Sequence, residues 1–77
     1  MFKELDTVVF THNIDNYGLE KGDIGTIVHT YGAERAVEVE VVRADGRTVA
    51  VLTLEPNDIR NITRDEILKV REFATSN

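Results

Sequence analysis

Two histidines are the first candidates for chemistry in this 77-residue chain, because an imidazole can bind a metal or transfer a proton. His12 and His29 each have an acidic residue nearby in the sequence, Asp15 or Asp23, and zinc accepts imidazole and carboxylate ligands. Their spacing matches no metal-binding motif, and the chain has no cysteine to supply a thiolate. We therefore expect no metal site and no cofactor.

The sequence offers no nucleophile motif and no phosphate-binding motif either. Its only serine is Ser76. Thr26, Thr48 and Thr53 fall in segments rich in β-branched residues, where strand propensity accounts for them. The glycines of segment 22–25 lack the spacing and the Lys-Ser/Thr ending of a phosphate loop. We therefore expect that the protein is not an enzyme on its own.

A pair of carboxylates lies two residues apart, at Glu38 and Glu40, so that both side chains share one face of a strand. Paired carboxylates perform acid–base catalysis when burial separates their pKa values. Here the alternating valines take the buried face and leave the glutamates toward solvent. We expect a polar exterior or, together with Glu34 and Asp45, an acidic patch that meets a basic partner.

The overall charge argues against a nucleic-acid partner. The formal net charge is −5 and the sequence pI is about 4.9, whereas phosphate binding depends on clustered positive charge. Arg43 and Arg47 flank a predicted hairpin and form only a small basic patch. A nucleic-acid-binding role would require four arginines to gather on one face of the fold: Arg35, Arg43, Arg47 and Arg60.

Apolar side chains interrupt the polar segment 13–23, whose Asn, Asp and Gly content predicts a long surface loop. They are Ile14, Tyr17 and Leu19. These side chains either anchor a protein partner or fold back as a lid on an open end of the fold. Tyr31, at the end of the next predicted strand, extends the surface if it lies beside Tyr17.

Five predicted strands must position these residues. Runs of β-branched and aromatic residues predict strands over residues 5–12, 24–31, 36–41, 47–54 and 59–62. The Val-Glu alternation of 36–41 is the clearest signal, since its period of two is that of a half-buried strand. Segment 47–54 is apolar on both faces, which predicts a strand in the middle of the sheet or one that meets a second element. Gly25 predicts a bulge or a close backbone approach, and Pro56 predicts a 3₁₀ turn.

A complete helix-start signal follows the last strand. Thr63 is the N-cap, and Glu66 three residues later completes a capping box. Ile62 and Ile67 occupy the two positions of a hydrophobic staple. We therefore predict a C-terminal α-helix over about 64–74.

The predicted helix offers a second candidate surface through Val70, Phe73 and Ala74. A helix of this length is marginal alone, so it must dock on something. It either plugs the open end of its own sheet or forms a contact with another protein or with a second copy of the chain. A homo-oligomer formed through the helix is therefore one expectation.

The order of elements indicates one domain over residues 1–77, with a barrel over about 3–62 and the helix after it. A barrel is favoured because it leaves no sheet edge exposed. The first residues do not resemble a signal peptide, and no apolar stretch approaches the ~20 residues that span a bilayer. We expect a cytoplasmic protein with no membrane partner.

Four stretches carry a family resemblance: LDTVV at 5–9, GLEKGDIGTIV at 18–28, VEVE at 37–40 and DGRT at 45–48. Together they resemble a bacterial family of uncharacterised proteins, domain of unknown function 4926. The resemblance implies a small SH3-like barrel with no assigned activity, and segment 22–28 is also similar to the strand entry of ribosomal-type KOW barrels. The predicted fold is thus a mainly β, five-stranded SH3-like (KOW-like) barrel with a C-terminal α-helix.

These observations favour a non-catalytic bacterial accessory or protein-interaction module, of the antitoxin or immunity type, whose protein partner is unknown. The alternatives are a KOW-like nucleic-acid or ribosome-associated module and a small enzyme subunit. The candidate partner surface consists of Tyr17, Tyr31, Glu38, Glu40, Val70 and Phe73.

Overall fold

The computed structural model describes residues 2–73. Their five strands form one antiparallel sheet. Its strands are β1 Thr7–Phe10, β2 Ile24–Thr30, β3 Val37–Val42, β4 Thr48–Leu54 and β5 Ile59–Asn61. Each bound lies within two residues of its predicted position. The mainly β, five-stranded fold that the sequence predicts is confirmed.

The strands lie in the order β4-β3-β2-β1-β5, which leaves β4 and β5 as the two edges of the sheet. Within residues 2–73 these edges are not hydrogen-bonded to each other, so the sheet is open and the predicted closed barrel is not formed. All three residues of β5 pair with β1. The prediction that segment 47–54 runs through the middle of the sheet is wrong, since β4 is an edge strand.

Three 3₁₀ turns occupy the connections between strands: Asp15–Tyr17, Gly32–Glu34 and Pro56–Asp58. The third joins β4 to β5 and confirms the turn predicted at Pro56. Its Glu55 and Asp58 cap each other, with the Glu55 backbone N–H donating to Asp58 Oδ2 at 2.9 Å. Proline suits the first position of this turn because a backbone N–H there would have no acceptor within the turn, and proline has no N–H to leave unpaired.

The hydrophobic core lies on the inner face of the sheet. Val37, Val39 and Val41 of β3 are buried. Glu38 and Glu40, between them, lie on the outer face and are half-buried, as the alternation predicts. All five strands and one loop contribute to the buried cluster, which consists of Val8, Phe10, Leu19, Ile27, Val37, Val39, Val41, Ala50, Leu52, Leu54 and Ile59.

Gly25 marks a close approach between β2 and β3. A Cβ atom at this position would lie 2.5 Å from Val39 Cγ1 and 3.1 Å from the carbonyl oxygen of Glu40. The register shift of β2 lies elsewhere, between Ile27 and His29. Of the two predictions for Gly25, the close approach is confirmed, because only a residue without a side chain fits there.

The C-terminal helix predicted over 64–74 is wrong for the residues that the structure describes. Residues 62–73, here called the strap, contain one turn and otherwise run without regular structure. One half of the capping box forms, with the Thr63 N–H donating to Glu66 Oε1 at 2.8 Å, while the Glu66 N–H donates to the Thr63 carbonyl oxygen at 3.1 Å. The staple does not form, since Ile67 is exposed. An isolated short helix needs a surface to dock on, and the strap is instead held by contacts at its two ends. Ala74 lies outside the described residues.

Candidate functional site

The loop between β1 and β2 folds back over the end of the core. Ile14 and Leu19 form an isolated antiparallel bridge, and Leu19 is buried while Ile14 packs against the core. Gly18 adopts a φ of +70°, a left-handed conformation that glycine adopts without strain. Tyr17 stays exposed. Ile14 and Leu19 therefore form the lid that one interpretation of the sequence predicts, and only Tyr17 remains available to a partner.

An ion pair fixes the end of the strap to this loop. The Arg71 guanidinium donates from Nε to Asp23 Oδ1 at 2.7 Å and from Nη2 to Asp23 Oδ2 at 2.6 Å. Nη2 also donates to the carbonyl oxygen of Gly18 at 3.1 Å, and Glu20 lies 3.8 Å from Nε. Such bidentate pairs are geometrically specific. The strap is thus held at one defined position, across the loop that forms the lid.

Hydrogen bonds around Asp23 keep its carboxylate charged and in position to pair with Arg71. Partial burial alone would raise the pKa of Asp23, but the hydrogen bonds from Arg71 and from the Glu20 backbone N–H outweigh it and hold the pKa below its ordinary value. Asp23 also accepts the N–H of Phe10 through its carbonyl oxygen at 2.8 Å. The carboxylate therefore stays charged at neutral pH, and the strap is anchored on a residue that is itself tied to β1.

The other end of the strap is fixed by Arg60 of β5. Its guanidinium donates to Glu66 Oε1 at 2.8 Å and to Glu66 Oε2 at 2.6 Å. The hydrogen bonds from Arg60 and then from the Thr63 backbone lower the pKa of Glu66 to about 2. Glu66 thereby joins the start of the strap to an edge strand, and residues 67–70 span the distance between the two ion pairs.

Phe73 is the strap residue that packs against the core. Its ring lies so close to Gly18 that a Cβ atom there would be 3.5 Å from it, and the Arg43 and Arg71 guanidinium carbons lie 5.5 Å and 5.9 Å from its centroid. Cations over an aromatic face are attracted to the ring. Phe73 borders an open cleft of about 600 Å³ that extends to Val49 of β4 and to the β3–β4 hairpin.

Between the two ion pairs the strap presents apolar side chains to solvent. Ile67 is 94% exposed, Leu68 is 58% exposed and Val70 is 92% exposed. Three large apolar side chains exposed within four residues of one segment make that segment a candidate site of interaction. We call Ile67, Leu68 and Val70 the strap triplet. Val70 and Phe73, which the sequence assigns to one surface, therefore have different roles: Val70 faces solvent and Phe73 faces the core.

The outer face of the sheet carries the predicted acidic residues. The Tyr31 hydroxyl donates to Glu38 Oε1 at 3.0 Å, and this contact raises the pKa of Tyr31. Glu40 accepts a hydrogen bond from Thr48 Oγ1 at 2.9 Å. The His29 ring lies 4.6 Å from the Tyr31 ring in an edge-to-face arrangement. Tyr31 and Glu38 thus form one polar contact on the outer face, and Glu40 forms a separate one with Thr48.

Tyr17 and Tyr31 do not form one aromatic surface. Tyr17 lies in the loop that precedes β2, and Tyr31 directly follows the end of that strand. A seven-residue strand spans about 23 Å, so the two rings lie toward opposite ends of the sheet. The six candidate residues therefore fall into separate places: the lid, the outer face and the strap.

The histidines also lie apart from each other. His12 Nε2 lies 2.7 Å from Asp58 Oδ1, and this hydrogen bond raises the pKa of His12. His29 Nδ1 lies 3.8 Å from Glu4 Oε2. Nowhere in residues 2–73 do three metal-ligating side chains come together.

Sequence reasoning missed Arg71 and Asp23, the residues that position the strap. They are separated by 48 residues, and no local pattern links them. The only sequence signal close to this contact is the group of apolar residues in the strap, which the sequence analysis interpreted as part of a helix. An ion pair between distant segments leaves no periodic pattern in the sequence from which it could be predicted.

The comparisons with known proteins give one result. Searches of curated proteins and of solved structures found no match. None of the helical turns in the described part of the chain is long and apolar enough to cross a membrane. A family model described as Domain of unknown function (DUF4926) matches residues 4–61, which include all five strands and end just before the strap. Because this match covers well over half of the sequence, the chain belongs to the DUF4926 family.

Proposed function

We propose that this chain is a non-catalytic protein-interaction module of the accessory type, antitoxin and immunity proteins included, and that the strap triplet is its main contact surface. The observation that carries the proposal is the exposure of Ile67, Leu68 and Val70 on a segment held at both ends by bidentate ion pairs. Apolar side chains that are already positioned lose little conformational entropy on binding.

The fold proposed for this module is an SH3-like barrel in an open form, located in the bacterial cytoplasm. Its support is the strand order β5-β1-β2-β3-β4, with a 3₁₀ turn between the fourth and fifth strands. In this arrangement the strap crosses the end of the sheet where the barrel is open, with Phe73 as the plug. The strap thus connects the core to the contact surface.

The partner surface that suits this module is apolar at its centre and basic around it. The chain carries a net charge of −5, and opposite charge on a partner speeds association and favours the correct pair. Glu38 and Glu40 on the outer face and Tyr17 on the lid provide secondary contacts for a large partner. Apolar anchors at the centre of an interface provide most of the binding energy.

A nucleic-acid-binding role has less support. Arg35 precedes β3 and Arg43 follows it, so these two arginines lie at opposite ends of one strand. Arg60 is engaged by Glu66, and Arg47 is engaged by Asp45 at 2.9 Å. Phosphate binding depends on basic side chains that gather on one face and are free to pair.

Capture from a lysate of the native host tests the proposal. Immobilised wild-type chain is compared with the variant I67S/L68S/V70S and with the control L5S/V28S, which removes exposed apolar side chains outside the strap. We expect one protein to be retained by the wild type and by the control and lost with the triplet variant. Calorimetry with that purified protein should give similar affinities for the wild type and the control and a much weaker affinity for the triplet variant.

Two results would contradict the proposal. One is a captured protein that binds the triplet variant as tightly as the wild type. The other is RNA as the main captured species, lost when the salt concentration is raised, since salt-dependent retention is the property of phosphate contacts.

A further inference from the structure

β4 is a long edge strand whose residues 50–54 lack the features that usually protect an edge. The register shift in its pairing with β3 lies at its start, between Thr48 and Ala50. Within residues 2–73 β4 pairs with β3 alone, and its seven residues Thr48–Leu54 include no charged residue and no proline. Natural proteins protect edge strands with charges, prolines or short length, because an open row of N–H and C=O groups recruits another strand. The opposite edge is protected in this way: β5 has three residues, and Arg60 at its centre is paired with Glu66.

The neutrality of β4 stands out in a chain with 30% charged residues and a net charge of −5. Two copies of a chain with this net charge repel each other. At β4 a second copy can approach without bringing like charges together at the contact. Phe73 lines a cleft together with Thr48 and Val49 at the start of the strand, and residues 50–54 do not border that cleft.

We propose that β4 pairs with β4 of a second copy, antiparallel about a two-fold axis at Leu52. This pairing is independent of the strap triplet and gives a continuous sheet across two copies. The register places Leu52 opposite its own counterpart, Ala50 opposite Leu54 on the inner face and Val51 opposite Thr53 on the outer face. A two-fold interface must be self-complementary, and β-branched and apolar cross-strand pairs stabilise a sheet.

The acidic residues of the two copies stay far enough apart for this pairing. Glu40 is the cross-strand neighbour of Val51, and Glu38 is the neighbour of Thr53. Glu40 of one copy and Glu38 of the other are then three strand spacings apart, about 14 Å. This exceeds the Debye length of about 8 Å at 0.15 M salt but not that of about 30 Å at 0.01 M. Self-association should therefore weaken at low salt.

Sedimentation equilibrium of the full chain tests the pairing between about 1 µM and about 1 mM. We expect a monomer–dimer equilibrium for the wild type and a dissociation constant raised about tenfold or more in V51K, which places a lysine at each end of the contact. The matched control is V28K. It adds the same charge on the outer face of β2, which has a neighbour on both sides, and Val28 is 39% exposed compared with 48% for Val51. We expect V28K to dimerise like the wild type.

Charge complementation tests the register itself. V51K and T53E should each dimerise weakly, while an equimolar mixture should form a heterodimer about tenfold tighter than either alone, because the introduced lysine of one copy then faces the introduced glutamate of the other. Circular dichroism establishes that each variant is folded. If either V51K or T53E is not, the pair T53K and V51E replaces them, since it places a lysine opposite a glutamate in the same register. The proposal is overturned if the wild type stays monomeric throughout, if V28K and V51K act alike, or if the mixture shows no gain. I67S/L68S/V70S should still dimerise, which separates this result from partner capture.

Discussion

Arg71 and Asp23 lie 48 residues apart in the sequence and are joined by two parallel hydrogen bonds of 2.7 Å and 2.6 Å. The contact connects the strap, which lies beyond the family match, to Asp23 directly before β2, which lies within that match. It fixes the position of Phe73 over the lid and holds the strap triplet outward. Together with the Arg60–Glu66 pair, this ion pair joins the segment beyond the family match to the matched fold with a defined geometry.

Arg71→Ala should detach the strap without unfolding the sheet. The pair is only partly shielded from water, so we expect a loss of about 1 kcal/mol in the free energy of unfolding, measured by urea denaturation. Hydrogen exchange should show faster exchange at residues 62–73 and little change in β1 to β4. Arg64→Ala is the control, since Arg64 forms no ion pair with the described residues and should change stability by less than about 0.5 kcal/mol. Equal effects of the two changes would contradict the anchoring role.

Low pH should release the strap from both ends. Glu66 has a pKa lowered from 4.5 to about 2, and the pKa of Asp23 is also lowered. A lowered pKa in the folded state means that the stabilisation is present above the unfolded-state value and is lost as pH falls through the folded-state value. We expect the NMR chemical shifts of the strap to change between about pH 4.5 and pH 2, before the β2–β3 pairing is lost.

Glu66→Gln provides the control for this pH dependence. Glutamine keeps the size of the side chain and accepts the Thr63 N–H, but it removes the charge that pairs with Arg60. In this variant the start of the strap should be less protected at pH 7 and should change little on acidification. An unchanged acid transition in Glu66→Gln would show that other carboxylates are responsible.

The sequence predicts the sheet well because its signals are local. The Val37-to-Val41 alternation determines which face is buried, and Pro56 determines where the edge strand β4 ends. The strap was predicted incorrectly because its local signal is partly real: the Glu66 side chain does accept the Thr63 N–H, as in a capping box. A capped start lowers the cost of the first turn but does not supply the docking surface that a short helix needs. The end of the strap is instead held by Asp23, a partner 48 residues away in the sequence.

Gly25→Ala should destabilise the sheet directly. The added Cβ would lie 2.5 Å from Val39 Cγ1 and 3.1 Å from the carbonyl oxygen of Glu40, distances that require β2 and β3 to move apart. We expect a loss of about 1–3 kcal/mol in thermal or urea denaturation, the usual cost of overpacking. Gly32→Ala is the matched control, because no atom lies within 4 Å of its Cβ position. It should be neutral or slightly stabilising through reduced entropy of the unfolded chain.

Phe73→Ala and Val70→Ala should separate the two functions of the strap. Phe73 is half-buried against the core, so its removal should lower the free energy of unfolding by about 1–2 kcal/mol and open the cleft beside Val49. Val70 is almost fully exposed, and Val70→Ala should leave stability within about 0.5 kcal/mol of the wild type while weakening partner binding. Denaturation and calorimetry on the same two variants check both expectations. A stability loss in Val70→Ala equal to that in Phe73→Ala would mean that the strap packs through both faces, and the strap triplet would then be part of the core rather than a contact surface.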